Sequence, residues 1–150
     1  MIVEIRGNGK VETVTTQVHE SLFCKWTQTL SPRALEDIRD TLNEFINGEG
    51  RDEIIISSQI CGGDWDWTLT PYQPIYESVG RDWEAARFFL GLIVWRVLMD
   101  RPETWALERY PRLMGDVIDL TYFRVSVKLY NPEANAHSAE LLAHMKNMTC

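Results

Sequence analysis

Cysteine is scarce in this chain. There are three, Cys24, Cys61 and Cys150, widely spaced and with no Cys-x-x-Cys pair. An odd count at such spacings argues against a disulfide framework and for reduced thiols, and so for a cytoplasmic location. No secretory leader is expected, because MIVEIRGNGK has no apolar segment behind a basic start. Basic runs are absent, and the net charge is −7. Proteins that grip phosphate backbones need clustered Lys and Arg to release counterions, so no nucleic-acid partner is expected. The most apolar stretch, Trp83 to Met99, is near the lower length limit for a membrane span and carries Arg87 and Arg96, so no membrane is expected either.

Catalytic signatures are missing in the same way. GxxxxGK, GxGxxG, GxSxG and HExxH do not occur. Gly7-Asn8-Gly9-Lys10 is no phosphate loop, since a strand pattern and not a helix follows it. There is no internal repeat, low-complexity tract or linker. No catalytic residue, metal ligand or cofactor is therefore assigned.

What is present is the material for one core. A chain of 150 residues has the size of a single domain, 1–150, and buries roughly two-thirds of its unfolded surface. Its 45% hydrophobic and 25% charged residues are those of an ordinary globular protein, so neither metal nor disulfide is required for folding. Trp83 to Met99 reads WEAARFFLGLIVWRVLM. At about 100° per residue its apolar positions leave no wide polar face, which marks a helix buried all round. This helix, about 82–99, is the expected central pillar.

In chain order, Ile2–Arg6 alternates, Asn8-Gly9 is a strong hairpin signal, and Val11–Val18 is rich in β-branched residues. Leu22, Cys24, Trp26 and Gln28 alternate with Phe23, Lys25 and Thr27. The three segments predict an N-terminal antiparallel β-meander, with Cys24 a buried, inert thiol. Ser31-Pro32 opens a helix over about 32–47, with Leu35, Ile38, Leu42, Phe45 and Ile46 at helical spacing and Gly48 after its end. Glu53–Ile60 predicts a buried strand. Cys61–Glu77 predicts an irregular loop, broken by two Gly and two Pro. Asp100, Pro102 and Glu103 suggest a capped short helix carrying Trp105 and Leu107. Asp116–Tyr130 predicts a strand whose parity switches near Tyr122-Phe123, suggesting a bulge or a change of neighbour. Glu133–Met145 suggests a last helix (about 133–146). The class expected is α+β: the meander and two further strands in one sheet, packed on the pillar and the two other helices.

The loop holds the main candidate site. If Asp64–Trp67 is extended, Asp64 and Asp66 point one way and Trp65 and Trp67 the other. Carboxylates beside rings suit a cationic or flat aromatic ligand, by cation–π attraction and stacking. With Tyr72, Tyr76 and Arg81, and with Gly80 and Asp82 at the pillar's N-terminus, they outline a ligand-binding surface. The plainer alternative has the rings sealing the core while the carboxylates cap turns.

Other candidates are weaker. Arg87 and Arg96 either bind an anion or pair with Glu84 and Asp100. His137 and His144 stand two turns apart on the last helix, too far to share a metal directly, and Glu140 with His144 lacks a third ligand. His19 has no partner readable from sequence. Cys61 before Gly62-Gly63 is a conceivable nucleophile without a readable base. The expected role is thus a non-catalytic binding or assembly protein, a homo-oligomer or one with a protein partner, acting through loop 61–77. The alternatives are a metal-dependent small enzyme or small-molecule binder at Asp64/Asp66, or an acidic inhibitor of a basic surface.

Overall fold

The computed structural model describes residues 1–5, 10–48, 53–55, 66–111 and 118–125. The elements are β1 (Ile2–Ile5), β2 (Val11–Val14), α1 (Glu20–Thr27), α2 (Pro32–Asn47), β3 (Glu53–Ile55), a 3-10 turn (Trp67–Leu69), α3 (Gln73–Ser78), α4 (Trp83–Asp100), β4 (Thr104–Pro111) and β5 (Ile118–Val125). The class is α+β, as the sequence predicts.

The pillar is α4. Asp82 caps it from an extended backbone, accepting from the Ala85 amide at 3.0 Å, which satisfies one of the orphan donors of the first turn. Ala86, Phe89, Leu90, Leu92, Ile93, Val94, Trp95, Val97, Leu98 and Met99 are all buried. On one side α2 supplies Ile38, Leu42 and Ile46, α3 supplies Ile75 and α1 supplies Phe23 to the same core. On the other side stands the sheet.

Its strand order is β2-β1-β4-β5-β3. β1 runs parallel to β4, and the remaining neighbours are antiparallel. Register places Ile2 beside Trp105 and Leu107 beside Tyr122. Side chains alternate along a strand, so these four share a face, and all four join the core around α4. Trp95 meets Tyr122 edge-on, with ring centroids 6.4 Å apart. The opposite face carries Val3, Thr104, Ala106 and Thr121, which are buried as well. Residues 104–107 of β4 are thus buried on both faces, and Trp105–Leu107 have a strand on each edge.

Three expectations are corrected. The third strand of the meander is helix α1. Phe23 and Trp26 lie three apart and both turn to the core, Trp26 against Phe89 at 5.3 Å. Alternation over seven residues is compatible with either period, and tertiary contact decides it. The short helix after Asp100 is strand β4. Asp100 instead closes α4, and Thr104-Trp105 joins the sheet, where β-branched and aromatic residues fit a pleated surface. The bulge near Tyr122-Phe123 is absent, since β4 and β5 pair without a break from Thr104↔Val125 to Pro111↔Ile118. Both parities of β5 are apolar because Thr121 and Tyr122, on opposite faces, are both buried.

Other expectations fare as follows. Ser31 caps α2, accepting from the Ala34 amide, and Gly48 stands at its C-cap. The Asn8-Gly9 turn lies outside the described residues, but the β1–β2 pairing it predicts is formed. The helix expected at 133–146 lies outside them too. Cys24 is not a free thiol but is disulfide-bonded, with its partner outside the described residues. That removes the basis on which reduced cysteines pointed to the cytoplasm. Among the described residues no helix is long and apolar enough to cross a membrane.

Candidate functional site

Of the residues singled out from sequence, Asp64, Trp65, Cys61, His137, Glu140 and His144 lie outside the described residues. Asp66, Trp67, Tyr72, Tyr76 and Arg81 lie on a 3-10 turn, on α3 or beside them, so the described part of the segment is not an irregular loop. Pro71 stands in the turn and Pro74 in the first turn of α3, a position that tolerates proline because its amide would be unpaired anyway.

Asp66 is exposed and caps the 3-10 turn. Its Oδ1 accepts from the Thr68 hydroxyl at 2.6 Å and the Thr68 amide at 3.0 Å. These bonds, the hydroxyl's first, hold its carboxyl below the usual range. Trp67 and Tyr72 are buried, and Trp67 stacks on the half-buried Tyr76 with centroids 5.9 Å apart and planes 14° from parallel. Both Trp67 and Tyr72 therefore serve the core.

Helix α3 ends in a left-handed stop. The Gly80 amide donates to the Glu77 carbonyl and the Arg81 amide to the Tyr76 carbonyl, the paired bonds of a Schellman motif. This requires positive φ at Gly80 (71°), and Arg81 (64°) is left-handed as well. Arg81 then turns its guanidinium onto Glu77, with contacts of 3.1 and 3.0 Å. It faces its own helix end. The stretch thus brings Trp67 to Tyr76 and Arg81 to Glu77.

Among the described residues of this stretch, one large hydrophobic side chain is presented outward. Leu69, at the end of the 3-10 turn, is 84% exposed. The Asp66 cap and the Trp67–Tyr76 stack fix the backbone that carries it.

The pillar's arginines do not enter this stretch. Arg87 lies over the Trp83 ring, 5.4 Å from its centroid, instead of pairing with Glu84 as expected. Arg96 pairs with Asp100 as the spacing predicts, Nε to Oδ2 at 3.3 Å. His19 sits at the left-handed N-cap of α1 with its ring edge-on to Phe88 at 5.3 Å.

A second polar cluster, not legible beforehand, gathers where α4 ends. A cleft of about 290 Å³ opens there, lined by Arg39, Asn43, Asn47, Val97, Asp100, Arg101 and Pro102. Arg39 donates to Asp100 Oδ2 at 2.8 Å. Arg101 reaches Asn43 at 2.7 Å, Asn47 at 2.5 Å and Glu103 at 2.6 Å. Arg124 joins Glu103 at 2.7 Å and lies over the Trp105 ring. Burial works to raise the Glu103 pKa, but Arg101 and Arg124 outweigh it and hold the carboxyl down at about 2. The signal in the sequence is a stripe of Arg39, Asn43 and Asn47 at every fourth position of α2, each one place after Ile38, Leu42 and Ile46. Asparagine is a poor helix former, so two of them beside the apolar stripe ask for a partner.

Among the described residues no group of three or more His, Cys, Asp or Glu is placed to hold a metal ion. No family model, curated protein or solved structure matches the chain.

Proposed function

We propose that this chain is a non-catalytic binding or assembly protein that meets a protein partner through the 61–77 segment, a second copy of itself being the partner to test first. The observation that carries this reading is Leu69. A leucine 84% exposed on a turn braced by a cap and a ring stack gains roughly 1.5–3 kcal/mol if a partner buries it. The bracing means that little order need be gained on contact, which lowers the cost of association. Asp66 already caps its own turn, which weighs against it as a metal ligand and so against a metal-dependent enzyme there.

Size-exclusion chromatography with light scattering tests the reading. A dimer or larger species is expected in the micromolar range, and Leu69→Asp should return it to monomer with an unchanged melting temperature. A chain that stays monomeric up to millimolar concentration overturns self-assembly. A thermal-shift screen with divalent metals and small organic cations tests the alternative, because a ligand specific to the native state must raise its melting temperature.

A further inference from the structure

We propose that the cleft between α2 and the C-terminal end of α4 binds a small oxyanion, the carboxylate or phosphate group of a ligand. The proposal does not depend on the Leu69 turn.

The argument starts with Arg101. A guanidinium carries only donors, so the atoms that Asn43 and Asn47 turn toward it must be their oxygens. Arg101 therefore fixes the orientation of both amides, at 2.7 and 2.5 Å. Each amide NH2 must then point away from Arg101, and none has an acceptor in the described hydrogen bonds. Arg39, one turn before Asn43 on the same stripe, lines the cleft and has one bond, from Nη2 to Asp100, among the described hydrogen bonds. Three side chains thus offer donors into one space of about 290 Å³, large enough for a phosphate or a carboxylate with its substituent.

Charge points the same way. Arg39, Arg96, Arg101 and Arg124 face only Asp100 and Glu103 in this network, an excess of two positive charges in a chain of net charge −7. The C-terminal ends of α2 and α4 oppose this with about half a negative charge each, which leaves the cluster positive. Asp100 sets the limit on the ligand. Its carboxylate stands on the wall, so the anion must sit away from it, beside the Asn43 and Asn47 amides. Val97 and Pro102 give an apolar boundary for the rest of the ligand.

The test is a titration of the full chain with inorganic phosphate and, separately, with acetate, at constant ionic strength. The readout is the side-chain NH2 resonances of Asn43 and Asn47. These resonances should shift saturably, and Arg39→Gln should weaken the binding at least fivefold. Arg33→Gln, at the far end of α2 and almost fully exposed, should leave it unchanged. Saturation with phosphate alone identifies a phosphate-bearing ligand, with acetate alone a carboxylate, and with both a site open to either. Shifts that chloride reproduces, shifts that do not saturate, or equal binding by Arg39→Gln overturn the proposal. The parent-chain titrations decide by themselves if Arg39→Gln does not fold.

Discussion

Trp95 shows what a single side chain does in this core. It is 4% exposed, and its Nε1 is buried with no hydrogen-bond partner. An unpaired buried donor costs about 1–3 kcal/mol, so the residue is kept for its volume and not its polarity. Trp95→Ala should therefore lose on the order of 3–5 kcal/mol by opening a cavity. Trp95→Phe should lose far less, about 1 kcal/mol, because relief of the orphan N–H offsets the smaller void. Urea denaturation of both variants checks this. Equal losses would mean that the indole N–H has a partner after all. Burial of Trp95 was legible in the sequence, because no polar face surrounds it. The plainer reading of the loop, a ring sealing the core beside a carboxylate that caps a turn, holds for Trp67 and Asp66. The exposure of Leu69 was not legible, because no periodicity marks a turn of three residues.

At the scale of elements, legibility follows how locally each is determined. α2 and α4 announce themselves through Ser31, Pro32, Asp82 and a sustained period, all contained in their own residues. α1 and β4 were misread because their environment decides them. α1 is a helix because Phe23 and Trp26 find the core, and β4 is a strand because β1 and β5 supply two edges. The cleft was hidden for the same reason, since Asn43 and Asn47 acquire meaning only when Arg101 arrives from the end of α4. Glu103 belongs at this scale too. It ties the start of β4 to Arg101 at the end of α4 and to Arg124 on β5. Its pKa is depressed from 4.5 to about 2, so the native state binds fewer protons than the unfolded chain between those values. The stabilisation is thus complete above about pH 4.5 and is lost as pH falls through about 2. At 25% exposure solvent screening reduces it, to about 1–2 kcal/mol. Glu103→Gln should show that loss at pH 7, and its stability should converge on the parent's near pH 2. A parallel offset at both pH values would mean that charge is not what the residue contributes.

At the scale of the molecule, the first residue is tied to the middle of the chain. The Met1 amine donates to the carbonyls of Leu98 at 2.7 Å, Arg101 at 2.7 Å and Glu103 at 2.8 Å. The Met1 carbonyl accepts from the Trp105 amide at 2.8 Å. Burial pushes the amine down from 8.0 to about 6, against Glu103 and Asp100, which pull it up. Between those values the native state again holds fewer protons than the unfolded one, so this group adds stability as pH rises from 6 to 8. Acetylating the amine of the 150-residue chain leaves one N–H for three carbonyls. It should cost about 2 kcal/mol and abolish that slope, which thermal melts at pH 6 and pH 8 will read. An acetylated chain as stable as the free one at both pH values would show that these bonds add nothing net.

The parallel pairing of β1 with β4 also imposes an order in time. A ribosome makes β1 about a hundred residues before β4 exists to receive it, a wait on the order of ten seconds at usual elongation rates. During that wait the hairpin of β1 and β2 has no neighbour on its inner edge, and two strands alone are at best marginally stable. When α4 emerges it is apolar on every side and still has no sheet to lie against. The nascent chain therefore passes through a stage in which its most hydrophobic element is complete and half its covering is not yet built.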